Sequence, residues 1–522
     1  MRRRSMLKAA AGFALLAAPN LAKASSSTTL RFVPVAGLVI LDPVAATGRP
    51  TRVHGFLVFD TLYGLDEMLK PQPQMVAGHT VEDDGKRWTM TLRDQLRFHD
   101  GEKVRGRDVV ASICRFGARN GLGQSLMAAT EELSAPDDQR IVFRLKKPFP
   151  HLAQALAGGD GNPFIMPERL ASTDPYKPVT EMVGSGPYRF LPSEFLAGAR
   201  SVYERFSLYE PCAGQRPSFL AGPKIAHFDR IEWIAMPDPA TAAAAIQKGE
   251  VDWWELPSAD LLPLLAGDRD LKLETMAKVI GIMRFNHLYP PFDNPAIRRA
   301  LLGAVDQAAA MQAVAGTDPA RWRDRIGLFD PEAPLATDAG IAVLDGPRDY
   351  PKVRHELTAA GYHGEQIVAL DSADISVSHA LALVGVDELR QSGMNVDVQS
   401  MDFGTVVRRR DSKQPIQQGG WNVFFTFIAP NFTPAGNLAL RSNGVDAWAG
   451  WPTSPRIEEL RQAWLDAGDL EAEKRICREL QLQLWQDVPY IPMGQNSEQT
   501  CYRRTLTDVP KEVALFFGVR PA

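Results

Sequence analysis

Between residues 419 and 434 the chain reads GGWNVFFTFIAPNFTP, without one formal charge. The pattern predicts a strand over 421–428 and a turn-rich loop that ends at Pro434. With a period of two, Trp421, Val423, Phe425 and Phe427 share one face, and Asn422, Phe424, Thr426 and Ile428 share the other. Both faces are largely apolar, so the strand is expected to be covered on both sides, as in a mostly parallel α/β sheet. Ligands of open α/β sheets sit beyond the carboxyl ends of the strands. The strand and its loop are therefore expected to form one wall of a cleft between two lobes. The competing reading is a core strand with no role beyond packing.

The rest of the chain alternates strands and helices in keeping with that class. Strands are predicted over 30–35, within 87–98 (two short ones), and over 141–145, 188–191, 231–236, 251–254, 279–286, 367–370 and 396–400. Helices are predicted from about Gly106, over 240–248 with Gly249 as C-cap, and from Asn294 as N-cap with Pro295 at the first position. In that last helix Ile297, Leu301, Val305 and Ala308 share a face and Gly316 ends it. Further helices are predicted over 353–360, 378–391, around 457–464 and over 475–485, with 319–350 as a long surface connection. The loop 184–188 (GSGPY) leads into a strand and has no phosphate-loop lysine, so it does not read as a phosphate cradle.

A chain of 522 residues is long enough for two to four domains. Charged residues make up 23% and the net charge is −4, with no basic block that would point to nucleic acid. The N-terminus carries Arg2, Arg3 and Arg4, a short apolar run, and an Ala22-Lys23-Ala24 cleavage site. Together these predict an export signal over 1–24. Arg3-Arg4-Ser5-Met6-Leu7-Lys8 is similar to the twin-arginine motif. A free periplasmic protein is expected. Four cysteines, Cys114, Cys212, Cys477 and Cys501, permit three pairings, and the sequence does not choose among them. No Cys-x-x-Cys, His-Glu-x-x-His, Gly-x-Ser-x-Gly, Walker A or Gly-x-Gly-x-x-Gly pattern is present, so neither a catalytic residue nor a metal ligand nor a cofactor is assigned.

Six stretches resemble, in order, the extracytoplasmic solute-binding proteins of the peptide/nickel/opine class that serve ABC transporters. They are 93–101 (RDQLRFHDG) with Arg107-Asp108-Val109, 184–188, Gly249-Glu250-Val251-Asp252, Asn286 with 291–294 and 297–300, Ala360-Gly361-Tyr362, and 488–492 (VPYIP). The resemblance implies two α/β lobes joined by hinge strands, with an extra domain on the N-terminal lobe, the cluster C type. Carried onto this chain, lobe one covers 25–62, 184–277 and 495–522, the extra domain 63–183, and lobe two 278–494. Hinge strands fall near 277–286 and 489–495. The implied partners are a peptide-like or opine-like solute and an inner-membrane permease, with the receptor a monomer.

The resemblance places the loop after 421–428 in the cleft. Peptide-binding members hold the ligand's α-ammonium with an acidic residue there. This chain has Phe427-Ile428-Ala429-Pro430-Asn431-Phe432 and no Asp or Glu, which weighs against that mode. Asn431, Phe427, Phe424 and Trp421 are the candidate contacts on this side. On the other side the candidates are Trp254, one of an adjacent pair of which alternation sends one to the core, and Asp42, which equally suits a turn before Pro43. Arg408-Arg409-Arg410 reads as a solvated helix face, with contact to an anionic ligand as the alternative. The alternatives are a periplasmic enzyme acting on a small organic substrate and a receptor for a metal or its chelate.

Overall fold

The computed structural model describes residues 28–46, 48–158, 161–214, 216–429 and 433–522. The predicted export signal and Asn431 lie outside the described residues.

Two long strands organise the molecule. Leu271–Phe285 and Tyr490–Arg503 run antiparallel through the centre of an 11-stranded sheet. At one end Cys501 and Tyr502 pair with Trp254 and Trp253, and that two-residue strand runs parallel to Thr29–Val33. Thr29–Val33 in turn lies parallel to Arg230–Ile234, and Arg200–Arg205 and Tyr188–Phe190 complete this side antiparallel. At the other end Ile280–Phe285 pairs antiparallel with Val423–Ile428, which is parallel to Gln366–Ser372, itself parallel to Asn395–Met401. The sheet around Val423–Ile428 is thus mixed: parallel on one edge and antiparallel on the other.

Both central strands are longer than their patterns suggest. The segment LKLETMAK before Val279 alternates with Lys272, Glu274 and Lys278 on a half-exposed face, which hides a strand among charges. Register shifts fall between Thr275 and Ala277 and between Ile280 and Ile282, where the strands pass from one set of neighbours to the other. Gly494, at φ 103°, lies opposite the second shift. Such bulges add twist and bend the ladder.

Helices cover the faces, and their ends follow local chemistry. Asp238 caps Pro239–Lys248 by accepting from the Thr241 amide at 2.8 Å, and Gly249, at φ 75°, closes it as expected. The single helix expected from Pro295 is instead two. Pro295–Ala300 passes into a short 3-10 turn, and Asp306 then caps a new helix, Gln307–Ala315, through the Ala309 amide. An internal Asp that can bind the backbone two or three residues on starts a helix more readily than it continues one. In Ser376–Gln391, Gly385 leaves room for Phe425: a Cβ there would lie 2.1 Å from the ring. The glycine costs the helix about 1 kcal/mol. Burying a Phe contributes about 1.5–3 kcal/mol in return.

A separate four-stranded antiparallel sheet, Val76–Glu82, Arg87–Leu92, Arg140–Leu145 and Thr130–Ser134, packs with helices Gly106–Arg119 and Gly121–Ala129. Only one strand forms in 87–98. After Leu92 the chain turns, with Gln95 at φ 66° and an isolated bridge from Arg97 to Lys103. The predicted surface connection over 319–350 contains one strand, Trp322–Arg323, which pairs with Asn496 and Gln495.

Candidate functional site

The parallel strands of the two half-sheets point their carboxyl ends at each other. From one side come the segments 34–42 after Thr29–Val33 and 255–258 after Trp253–Trp254. From the other come 373–375 after Gln366–Ser372, Asp402 after Asn395–Met401, and Ala429 after Val423–Ile428. The two central strands form the floor. This is the placement that open α/β sheets give their ligands.

The two sides touch. A Cβ on Gly404 would lie 3.2 Å from Cγ2 of Val39, and one on Gly48 would lie 3.3 Å from Cε1 of Phe403. Phe403 is held by its amide, which donates to Asp374 Oδ1 at 2.8 Å, and Asp402 caps its helix, Phe403–Arg410, through the Thr405 amide. Further out, Lys147 Nζ lies 2.7 Å from Asp466 Oδ1, His151 stacks on Trp464 at 4.3 Å, and Arg441 donates to Gln124. A hollow remains over the floor, lined by Leu256 and Pro257 from one side, Val377 from the other, and Asn496–Gln499 beneath.

Three charged side chains converge at this floor. Arg49, the first residue of the helix Arg49–Val58, forms an ion pair with Glu498: Nη2 donates to Oε1 at 2.8 Å, and Nη1 lies 2.8 Å from Oε2 without a hydrogen bond between them. Glu255, directly after Trp254, accepts from the Val35 amide through Oε2 at 2.7 Å. Its Oε1 is 4.0 Å from Arg49 Nη1 and has no hydrogen-bond partner, although both glutamate side chains are only 2% exposed. Burial pushes the Glu255 carboxyl above its ordinary value, against the pull of Arg49, the Val35 amide and Arg52. Burial also opposes the Arg49 charge, but Glu498 and Glu255 outweigh it and hold the guanidinium protonated.

The residues singled out from the sequence are dispersed. Trp254 is 5% exposed and packs with Ala242, Ala245, Ile246, Leu265 and Leu271. Trp253 is fully buried on the opposite side, 5.0 Å from Phe32 and 5.4 Å from Phe516. The pair does alternate, but both faces of this short central strand are core, so the expectation of one cleft-facing or solvent-facing tryptophan is not met. Asp42 is fully buried. Its Oδ2 takes Arg115 Nη2 at 2.7 Å and the Val179 amide at 2.9 Å, and Oδ1 takes the Val44 amide.

Trp421 and Phe424 come together at 5.1 Å, with Trp451 and Trp448 against them, in a buried cluster. Trp421 therefore joins the face opposite to the one its alternation predicts. Pairing begins only at Val423, because Asn422 binds Val368 through both its backbone amide and its side-chain oxygen. Arg410 sits over Phe424 and Trp448 and is 5% exposed, so the third arginine of 408–410 leaves the solvated face expected for it. Phe427 is half-buried, opposite Gly281 on the central strand. Asn431 lies outside the described residues.

An enzyme-like grouping also occurs. His379 Nδ1 lies 2.9 Å from Asp371 Oδ2, and Ser400 Oγ donates to the same oxygen at 2.7 Å. The serine thus bonds the acid and not the imidazole, which is not the arrangement of an activated nucleophile. Among the described residues no group of three metal-ligating side chains occurs, and no helix is long and apolar enough to cross a membrane. Each of the four cysteines is unpaired.

Residues 70–444 match the family model of bacterial extracellular solute-binding proteins, family 5 middle. The chain belongs to this family. It is 36% identical over 533 residues to the "Probable peptide ABC transporter periplasmic-binding protein y4tO" of Sinorhizobium fredii, covering 100% of this chain and 99% of the relative. It is 25% identical over 487 residues to the glutathione-binding protein GsiB of Salmonella typhi, covering 90% and 89%. Among solved structures, it is similar to the binding protein AgaA from A. tumefaciens R10 in complex with agropinic acid. The TM-score is 0.80 at 18% identity, over 95% of this chain and 99% of that one. A dipeptide-binding protein from Pseudoalteromonas sp. SM9913 in complex with Met-Leu gives a TM-score of 0.77 at 18% identity, over 95% and 100%. The fold is therefore the two-lobed α/β fold of periplasmic binding proteins. As a family 5 protein, the chain is the substrate-binding component of an ABC importer.

The sequence reading missed Arg49, Glu255 and Glu498. One signal was available: Arg49 begins a helix, where a cation opposes the helix dipole unless acids stand nearby.

Proposed function

We propose that the chain is a periplasmic receptor that closes its two lobes over one small organic solute, peptide-like or opine-like, and hands it to an inner-membrane permease. It does so as a monomer and without covalent chemistry, after export and removal of residues 1–24, by the twin-arginine route. Lobe one comprises 25–62, 184–277 and 495–522, with 63–183 as an added domain, and lobe two comprises 278–494. The bends in Leu271–Phe285 and Tyr490–Arg503 act as the hinge.

The observation that carries this reading is the facing of the two sets of strand ends across a floor with buried, incompletely paired charge. A ligand that contacts both lobes favours the closed form, because only differential affinity shifts such an equilibrium. Phe427 and Asn431 remain the proposed contacts from lobe two. Trp254, Asp42, Trp421 and Phe424 serve packing in this reading, since their partners lie within one lobe or its added domain.

The test is mass spectrometry of small molecules released on denaturing the mature protein purified from its own periplasm. One solute per chain is expected, and adding it back raises the melting temperature. A purified protein that converts the compound to a product would contradict the receptor reading.

A further inference from the structure

The charges at the cleft floor do not complete one another. Arg49 donates from Nη2 to Glu498 Oε1 at 2.8 Å, while its Nη1, 2.8 Å from Glu498 Oε2, makes no hydrogen bond, and neither does that oxygen. Glu255 is placed beside this pair by the Val35 amide, but its second oxygen is 4.0 Å from the nearest Arg49 nitrogen. Arg52, one turn along the same helix, adds positive potential on Glu255, yet Oε1 is buried with no hydrogen bond. A buried acceptor without a donor is costly, by about 1–3 kcal/mol and more when charged. The site is rigid, because Glu255 follows a central strand, Glu498 lies on a floor strand and Arg49 opens a helix. Glu498 and the neighbours of Glu255, Leu256 and Pro257, line the hollow.

We infer that Glu255, braced by the Arg49–Glu498 pair, is the anchor for a basic group of the transported solute, a protonated amine or guanidinium. This rests on the receptor reading above and adds the chemical class of the solute. The donor completes the open valence at Oε1 and adds positive charge beside two carboxylates. It also relocates cation recognition in this chain: the segment 427–434 contains no acid, so the carboxylate that meets the ligand comes from lobe one. Ligand binding then begins on lobe one, and lobe two closes over a solute already oriented.

The experiment is a thermal-shift and calorimetric panel on the mature, ligand-stripped protein. The probes are Met-Leu, glutathione and arginine, each beside its N-acetylated form, plus the co-purified solute with and without acetylation. The expected result is that compounds with a free basic group bind, that acetylation removes binding, and that Glu255→Gln lowers affinity by about thirtyfold or more. Glu498→Gln is expected to weaken binding in the same direction by releasing Arg49 toward Glu255. Acetylation leaves the protein untouched, so the inference stays testable if either variant fails to fold. A co-purified solute without a basic group, or one bound equally after acetylation, overturns the inference and leaves the receptor reading standing. Binding of no solute at all contradicts both.

Discussion

The two edges of the cleft are built from opposite materials. One edge presents Arg49, Glu255 and Glu498, side chains that are costly to bury and are held by ion pairs and a backbone amide. The other presents an aromatic strand, but its largest rings turn away: Trp421 and Phe424 are each 1% exposed and pack on Trp451 and Trp448. Aromatic side chains gain most by leaving water, so their abundance in a strand first marks a core. A buried carboxylate gains nothing by burial, and one left partly unpaired points to a partner that arrives from outside. The richer stretch by composition is thus the poorer guide to the ligand.

This contrast can be broken at several points. The largest effect is expected for Phe424→Ala, which removes a fully buried ring and costs about 3–5 kcal/mol of stability. Ligand affinity should not change; a specific loss of affinity in folded protein, by urea denaturation and calorimetry, would make the aromatic cluster part of the site. Asp42→Ala leaves Arg115 buried without its carboxylate and should cost about 3–5 kcal/mol. It too should spare affinity, which separates a structural ion pair on lobe one from the Glu255 group.

A buried acid remote from the cleft sharpens the comparison from another direction. Glu388, on Ser376–Gln391, accepts from the Asp306 amide, and burial pushes its carboxyl up to about 8 against the pull of that amide and of Arg348. Between pH 4.5 and 8 the folded state therefore binds a proton that the unfolded state has released. This group's contribution makes stability fall as pH rises through that window. Glu388→Gln is expected to be more stable than the parent at pH 8 and to flatten that slope, as read from urea melts at pH 5, 7 and 9. A parallel slope in both proteins would show that the carboxyl is already ionised.

Smaller effects are expected nearer the surface. Phe427→Ala removes a half-buried ring and should cost about 1–2 kcal/mol of stability, with weaker solute binding if Phe427 touches the ligand. Unchanged affinity would shift the contact from Phe427 to Asn431. Lys147→Ala breaks a half-exposed pair with Asp466 and should change stability by less than about 1 kcal/mol.

Much of the fold was legible because its signals are local. The cap at Asn294, the stop at Gly249 and the period of Ile141–Leu145 each depend on a few neighbouring residues. The central strands were legible only in part: the first half of Leu271–Phe285 carries Lys272, Glu274 and Lys278 on a half-exposed face. The site was the least legible. Arg49, Glu255 and Glu498 are separated by more than two hundred positions in the chain, and no local pattern joins them. What the sequence did show was a negative, the missing acid in 427–434, and it acquires meaning once an acid with one oxygen lacking a hydrogen bond stands on the facing side of the cleft.

Small-angle X-ray scattering on the ligand-stripped protein, with and without its co-purified solute, reports directly on whether the solute is held between the lobes. A smaller radius of gyration on adding the solute, with a markedly weaker midpoint in Glu255→Gln, is the expected result. Solute that binds tightly while the radius of gyration stays fixed would contradict it.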